Sequence, residues 1–176
     1  MSGAYIVAGA RTPIGKMSGA LSSFSAADLG GFAIKAALER AGVKPEEVDH
    51  VIMGHVIMAG QGQVPARQAA AKAGIPMNVP SVVVNKVCLS GLNSIYLADQ
   101  MIQAGEADIV VAGGMESMTN IPFLLPNFRA GYRLGHVEVK DGNYQDGFTC
   151  GILKEPMGMT AEYLADDFRI GRQEQD

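Results

Sequence analysis

The sequence has 176 residues, with 14 Lys or Arg, 18 Asp or Glu and a formal net charge of −4 at pH 7. This length allows a sizeable core and one domain, or one domain plus part of another. The net negative charge and the scattered positions of the basic residues argue against a nucleic-acid partner. No stretch reaches transmembrane length, and the apolar N-terminal run lacks the flanks of a signal peptide, so we expect a cytoplasmic protein without a membrane partner.

Composition points to a compact α/β protein with many tight turns, since 48% of the residues are hydrophobic and 22 are glycine. The two cysteines, Cys88 and Cys150, lie far apart and have no metal-ligating neighbours at a useful spacing. We therefore expect neither a disulfide scaffold nor a metal site, and a reducing compartment fits the sequence.

The first elements follow from hydrophobic patterning. Tyr5–Gly9 is apolar throughout, which predicts a strand of a covered parallel sheet. Ser25 and Asp28 form a capping-box pattern that opens a helix to about Ala41, where Gly42 ends it. The predicted buried face of this helix consists of Leu29, Phe32, Ala33 and Ala36.

A second apolar strand is predicted over Val51–Ile57 and contains His55. No Cys, Asp or Glu accompanies this histidine in the local pattern, so we interpret it as a hydrogen-bonded structural residue without a role in the site. A helix over residues 66–73 follows and is ended by Gly74 and Pro76.

The next predicted elements are a strand at Val82–Val84, a helix from Ser90 to Gly105 and a strand at Asp108–Ala112. The helix is apolar on most sides, which predicts that it is buried. The alternation of strands and helices predicts a mixed or parallel sheet with right-handed crossovers.

After Met118 the hydrophobic residues no longer recur with the period of a helix or a strand. Residues 120–147 are therefore predicted to form a long irregular segment. A further helix is expected from about Met159 to Phe168.

Cys88 lies at the predicted turn between a strand and a helix. A thiol at this place faces the unpaired N–H groups and the positive end of the helix dipole, which favour the thiolate. Such a group can serve as an acyl-accepting nucleophile. The alternative is that Cys88 is a small apolar core residue.

Four strings carry a resemblance to a known family, the thiolases, which transfer acyl groups on coenzyme A. They occur along the chain in the same order as in the family. In chain order they are Ala10–Lys16, Gly60–Gln68, the motif around Cys88 at Asn85–Gly91, and Ala112–Met118. The resemblance implies a thiolase-like N-terminal domain at residues 1–118, with a mixed sheet and a buried central helix. It also implies the start of an irregular, α-containing loop domain at residues 119–176, with the C-terminal domain absent.

The resemblance implies an enzyme of the acetyl-CoA C-acetyltransferase type, in fatty acid metabolism, with Cys88 as the catalytic acyl carrier. Acetyl-CoA and acetoacetyl-CoA or a 3-ketoacyl-CoA are then substrates, and no cofactor is permanently bound. Phe148 and Met157 are candidates to line the coenzyme A and acyl channel, with an ordinary core position as the alternative for each. A homodimer or homotetramer is expected.

Two family motifs are missing from this sequence. Thiolases have a base in a Gly-His-Pro string and a second cysteine in a Cys-x-Gly-Gly string, but none of His50, His55 and His136 precedes a proline. Cys150 does not match the second motif, and we interpret it as a small core residue. Because Lys154–Pro156 and Tyr163 also depart from the common family pattern, the acyl-chain preference stays open.

The chain alone is therefore expected to be inactive, and other hypotheses stay open. It could be a structural half or assembly partner of a split thiolase, or another acyl-condensing relative of the same superfold. A cysteine hydrolase would need a histidine with an Asn or Asp, and no such setting is evident.

Overall fold

The computed structural model describes residues 3–176, which pack as two compact units divided between Ile121 and Pro122. Met1 and Ser2, which belong to the predicted first domain, lie outside the described residues. The assignment of residues 1–118 and 119–176 to two thiolase domains stays a prediction.

The first unit contains three strands and three helices in alternation. In chain order they are α1 (Ala26–Ala41), β1 (His50–Gly54), α2 (Pro65–Lys72), β2 (Ser81–Val84), α3 (Ser90–Gln103) and β3 (Val110–Gly114). The strands form one parallel sheet in the order β2-β1-β3. The predicted α/β fold with a parallel sheet is confirmed, although this sheet is wholly parallel and not mixed.

The register of the sheet brings three strand ends together. Gly54 at the end of β1 pairs with Val84 at the end of β2 and with Gly114 at the end of β3. Because the strands are parallel, the segments that leave all three strands start from the same edge. Residues that are far apart in the sequence therefore meet at this edge.

The helix α1 packs against α2 through small residues. A Cβ atom on Gly31 would stand 2.8 Å from Lys72 Cβ, and one on Gly30 would stand 3.2 Å from Ala69 Cβ. This close approach sets the buried face, which consists of Ala26, Ala27, Gly30, Gly31, Ile34 and Leu38. The predicted face was wrong, and Phe32 is 52% exposed, because the helix turns its glycines and not its largest side chains toward α2.

The start of α1 has the predicted capping box. Ser25 Oγ accepts a hydrogen bond from Asp28 N–H at 3.1 Å, and Asp28 Oδ2 accepts one from Ser25 N–H at 2.9 Å. Lys72 Nζ on α2 lies 2.6 Å from Asp28 Oδ1. One carboxylate thus both caps α1 and ties it to α2.

The predicted first strand, Tyr5–Gly9, is absent, and these residues have neither helix nor strand structure. They line one side of an apolar groove of about 490 Å³, which is lined on another side by β3. The groove separates the segment from the sheet edge, so no ladder of hydrogen bonds forms, and Tyr5 stays 85% exposed. Arg40 Nη1 donates to Gly9 O at 2.7 Å.

The helix α3 is buried only on the side that faces the sheet. Its buried residues are Ser90, Ser94 and Ala98, whereas Leu92 and Tyr96 are 63% and 59% exposed. The prediction of a helix buried on most sides was therefore wrong within residues 3–176, because the described chain supplies packing partners for one face only.

The second unit is largely irregular, as expected. It contains an antiparallel pair, β4 (Phe123–Leu124) and β5 (Lys140–Asp141), a π-helical segment at Asn143–Phe148, α4 (Met157–Phe168) and α5 (Arg172–Gln175). The predicted helix ending at Phe168 is confirmed and begins two residues earlier than expected. Within residues 3–176 we find no helix with the length and apolarity needed to cross a bilayer.

Replacing the capping carboxylate should weaken the fold in a pH-dependent way. The Lys72 ammonium, with the Ser25 hydroxyl and N–H, lowers the pKa of Asp28 from 3.8 to about 2. Asp28→Asn should lower the free energy of unfolding by about 1 kcal/mol near neutral pH, a value reduced by solvent screening of this partly exposed pair.

A lowered folded-state pKa means that this stabilisation is present above 3.8 and is lost as the pH falls toward about 2. Urea unfolding of parent and variant across this range measures the difference. Glu39→Gln, on the exposed side of the same helix, is the control for loss of one negative charge. A pH-independent difference would contradict the assignment.

Candidate active site

Cys88 lies where the sequence predicted it, between the end of β2 at Val84 and the start of α3 at Ser90. Its side chain is exposed, whereas Ser90 is 3% exposed. The core interpretation of Cys88 is therefore wrong for the described chain, and the thiol is open to a reactant.

Two polar side chains close the turn around Cys88. Asn85 Oδ1 accepts a hydrogen bond from Val87 N–H at 2.9 Å, and Asn85 Nδ2 donates to Val56 O at 2.9 Å. On the other side, Ser90 Oγ donates to Val87 O at 2.5 Å and accepts from Lys86 N–H at 2.8 Å. The backbone before Cys88 is held from both ends.

Val87, immediately before Cys88, has a φ of 49°. This left-handed conformation is unfavourable for a β-branched residue and costs on the order of 1–3 kcal/mol. Such strain persists only where the surrounding bonds determine the conformation. The turn that presents the thiol is therefore fixed by its contacts and not by local preference.

Glycines allow the first turn of α3 to lie directly on the sheet edge. A Cβ atom on Gly54 would stand 2.4 Å from Ser90 C and 2.5 Å from Gly91 N. On the neighbouring strand, a Cβ on Gly114 would stand 3.3 Å from Gly91 Cα. Ser94 Oγ then joins the helix to β3 through Gly113 O at 2.8 Å.

The start of α3 is suited to binding a developing negative charge. Its N-cap is Leu89, and no side chain makes a capping hydrogen bond there. Ser90 N–H donates to Val87 O at 3.0 Å, and the first-turn N–H groups of a helix carry the positive end of its dipole. An exposed thiol beside them can attack a carbonyl carbon while these groups stabilise the resulting oxyanion.

An acid and a histidine that sequence reasoning did not connect meet at the same sheet edge. His55 is 1% exposed, and its Nε2 lies 3.0 Å from Glu116 Oε1. Glu116 Oε2 also accepts a hydrogen bond from Val56 N–H at 2.9 Å. The interpretation that no acid accompanies His55 was therefore wrong, because a parallel sheet brings together the residues that follow β1 and β3.

Phe148 and Met157 lie in the second unit, on either side of a turn. A backbone bridge between Thr149 and Pro156 closes this turn, and the Phe148 ring packs edge-on against Tyr144 at 5.7 Å between centroids. Phe148 and Met157 are 42% and 41% exposed, so neither occupies a core position in its unit. Their role in a coenzyme A channel stays a prediction.

Cys150 is half-buried in the same turn and is not the core residue we expected. Its sulfur accepts a hydrogen bond from Leu153 N–H at 3.4 Å. This bond, with a weaker one from Ile152, lowers the pKa of the Cys150 thiol. Nearby, Tyr163 donates to Glu155 Oε2 at 2.6 Å, which raises the pKa of Tyr163.

The turn that contains Cys88 does not itself provide a carboxylate or an imidazole that could act as an acid or a base on the thiol. Within residues 3–176 no carboxylate or imidazole is hydrogen-bonded to the Cys88 sulfur. His50 begins β1, and His136 lies in the second unit. The described residues thus present an exposed thiol at the start of a helix.

Filling the space at Gly54 should displace the turn. Gly54→Ala should lower the free energy of unfolding by about 3 kcal/mol, because its methyl group would overlap the Ser90 and Gly91 backbone. Gly113→Ala is the matched strand control, since its Cβ would meet nothing closer than Met53 Sδ at 3.6 Å. Equal losses of stability in urea unfolding would contradict this packing.

The Cys150 thiol should react at lower pH than an ordinary cysteine. In a Cys88→Ser background, the rate of alkylation by iodoacetamide should rise at a pH below the ordinary thiol pKa, because Leu153 and Ile152 N–H stabilise the thiolate. The same protein unfolded in urea, which lacks these bonds, is the control. Identical pH profiles in both states would show that the turn does not affect this thiol.

Comparison with known proteins agrees with this geometry. The family model described as the N-terminal domain of thiolase matches residues 4–176. A probable acetyl-CoA acetyltransferase of Mycobacterium leprae is 53% identical over 176 residues, and an acetyl-CoA acetyltransferase of Cupriavidus necator is 51% identical. All of this chain is covered in both alignments, but it spans 45% of the length of each relative. The chain belongs to the thiolase family, of which it contains the N-terminal domain.

Proposed function

We propose that the protein containing this chain transfers acetyl or acyl groups between coenzyme A thioesters through an acyl-enzyme on Cys88. The observation that carries the proposal is the exposed Cys88 thiol just before the first turn of α3, which no side chain caps. The similarity to relatives named acetyl-CoA acetyltransferase supports acetyl-CoA and acetoacetyl-CoA, or a longer 3-ketoacyl-CoA, as substrates.

In the synthetic direction the Cys88 thiolate attacks the carbonyl carbon of acetyl-CoA. The new carbon–sulfur bond forms as the bond to the coenzyme breaks, and the coenzyme thiolate takes up a proton. The enolate of a second acetyl-CoA then attacks the acetylated Cys88, which yields acetoacetyl-CoA and restores the thiolate. N–H groups at the start of α3 stabilise the oxyanion that forms in each attack.

In the degradative direction Cys88 attacks the keto carbon of a 3-ketoacyl-CoA. Acetyl-CoA leaves as its enolate and is protonated, and free coenzyme A then accepts the acyl group from Cys88. Both directions need a base for the thiol and a second acid–base group at the enolate carbon. The resemblance to thiolases assigns these to the Gly-His-Pro histidine and the second cysteine, which a chain spanning 45% of its relatives does not include.

Two residues of the second unit are proposed to contact the substrate. Phe148 and Met157 are partly exposed and apolar, which suits contacts with the pantetheine and acyl chain of the substrate. A cytoplasmic homodimer or homotetramer is the proposed form of the whole protein, as the family resemblance implies.

A second candidate is a structural half of a split thiolase, completed by another polypeptide. It is favoured by the lack of an acid or base on the Cys88 sulfur within residues 3–176 and by the exposed apolar side chains of α3. Under this hypothesis acyl transfer requires the second polypeptide.

The test is acyl transfer by the complete protein with Cys88→Ala and the matched control Cys150→Ala. Loss of the nucleophile should reduce turnover of acetoacetyl-CoA by about 10³-fold or more, whereas Cys150→Ala should leave it within about twofold. Intact mass after incubation with acetyl-CoA should show one added acetyl group in the parent and none in Cys88→Ala.

Undiminished turnover in Cys88→Ala would overturn the proposal. Acylation of the 176-residue chain only after addition of a second polypeptide would favour the split-thiolase candidate. Acylation of the 176-residue chain by itself would show that Cys88 accepts an acyl group without the Gly-His-Pro histidine, and would contradict the split-thiolase candidate.

A further inference from the structure

Glu116 joins the ends of two strands through one carboxylate. Its Oε2 accepts hydrogen bonds from Val56 N–H at 2.9 Å and Ile57 N–H at 3.4 Å, just beyond β1. Its Oε1 lies 3.0 Å from Nε2 of the buried His55. Hydrogen bonds to a carboxylate are stronger than those to a neutral acceptor, so Glu116 fixes the segment after β1 firmly.

The same segment holds the turn of the nucleophile. The Val56 carbonyl accepts the bond from Asn85 Nδ2, and Asn85 Oδ1 accepts the bond from Val87 N–H. His55 N–H also donates to Val84 O at 3.1 Å, at the end of β2. A continuous series of bonds therefore runs from Glu116 through Val56 and Asn85 to the residue before Cys88.

The strained conformation of Val87 gives this series its importance. A φ of 49° at valine is kept only if outside contacts hold the backbone there. Asn85 makes the side-chain contact to Val87 N–H, and Val56 fixes the Asn85 amide group. If Val56 moves, Val87 keeps its bond to Ser90 Oγ but loses the fixed partner of its N–H group, so the thiol of Cys88 is less firmly positioned.

We infer that Glu116, which lies against the buried His55, is a positioning residue for Cys88, acting through Val56 and Asn85. This inference rests on the proposed role of Cys88 as the nucleophile. Small displacements of a reacting group are costly for catalysis, so loosening this series should lower the rate of acyl transfer more than substrate binding.

Another carboxylate in the same unit provides a matched control. Asp49 Oδ2 accepts hydrogen bonds from Asp108 N–H and Ile109 N–H, both at 2.9 Å, at the opposite end of the sheet. Like Glu116 it fixes two consecutive amides, but it makes no bond to the segment that holds Asn85. A merely structural role for Glu116 predicts equal effects of Glu116→Ala and Asp49→Ala.

The first experiment is hydrogen exchange of the complete protein, followed in peptides that cover residues 85–90. Glu116→Ala should raise the exchange rate of these amides by about tenfold or more relative to Asp49→Ala, because Val87 N–H loses its fixed acceptor. Glu116→Gln preserves the side-chain volume if the alanine variant fails to fold. It should raise exchange by about threefold or more, since a neutral amide oxygen accepts the hydrogen bonds from Val56 and Ile57 N–H less strongly than a carboxylate does.

The second experiment measures steady-state acyl transfer. Glu116→Ala, or Glu116→Gln if needed, should lower kcat by about tenfold or more and leave KM within about twofold. His55→Ala should behave similarly, because it removes the side chain whose Nε2 lies 3.0 Å from Glu116 Oε1. Exchange or kcat within twofold of the Asp49→Ala values would overturn the inference.

The two readouts separate the inference from the function on which it rests. A parent protein that never acylates Cys88 would contradict the proposed function, while the exchange rates would still test whether Glu116 fixes the turn. If the parent is active but kcat is the same in the Glu116 variants, only the positioning role is overturned.

Discussion

The site depends on how closely α3 approaches the ends of the parallel strands. Gly54 and Gly114 lie side by side in the sheet, and the backbone of Gly91 passes over them at distances that leave no room for a Cβ on Gly54. This contact fixes where the helix begins, and therefore where the N–H groups of its first turn point. Cys88 precedes that first turn, so its position relative to these groups is determined by the packing of glycine backbones.

Much of this arrangement could be predicted from local sequence. Apolar runs and capping residues identified the strands of the sheet and its helices, and the predicted position of Cys88 between a strand and a helix is the position that it occupies. The segment Tyr5–Gly9 was assigned wrongly because a strand exists only with a partner, and the groove beside β3 separates the two. The face of α1 was misassigned because hydrophobicity ranks Phe32 above Gly31, whereas close helix packing requires the glycine.

The polar part of the site depends on contacts between distant residues, which periodicity does not reveal. Glu116 and Val56 are 60 positions apart, and only the pairing of β1 with β3 brings them together. His55 has the pattern of an ordinary core residue because its acidic neighbour belongs to another strand end. The register of the sheet would have been enough to connect them, since Gly54 and Gly114 are paired residues.

The strained Val87 also bears on the order of events during folding. Its conformation needs Asn85, which needs Val56, which is fixed by Glu116 from the last strand of the sheet. A growing chain that has just emerged as far as Cys88 therefore lacks the contact that fixes the turn. The thiol acquires its defined geometry only after the chain has been synthesised beyond β3, so an incomplete polypeptide does not present the reactive group in its final form.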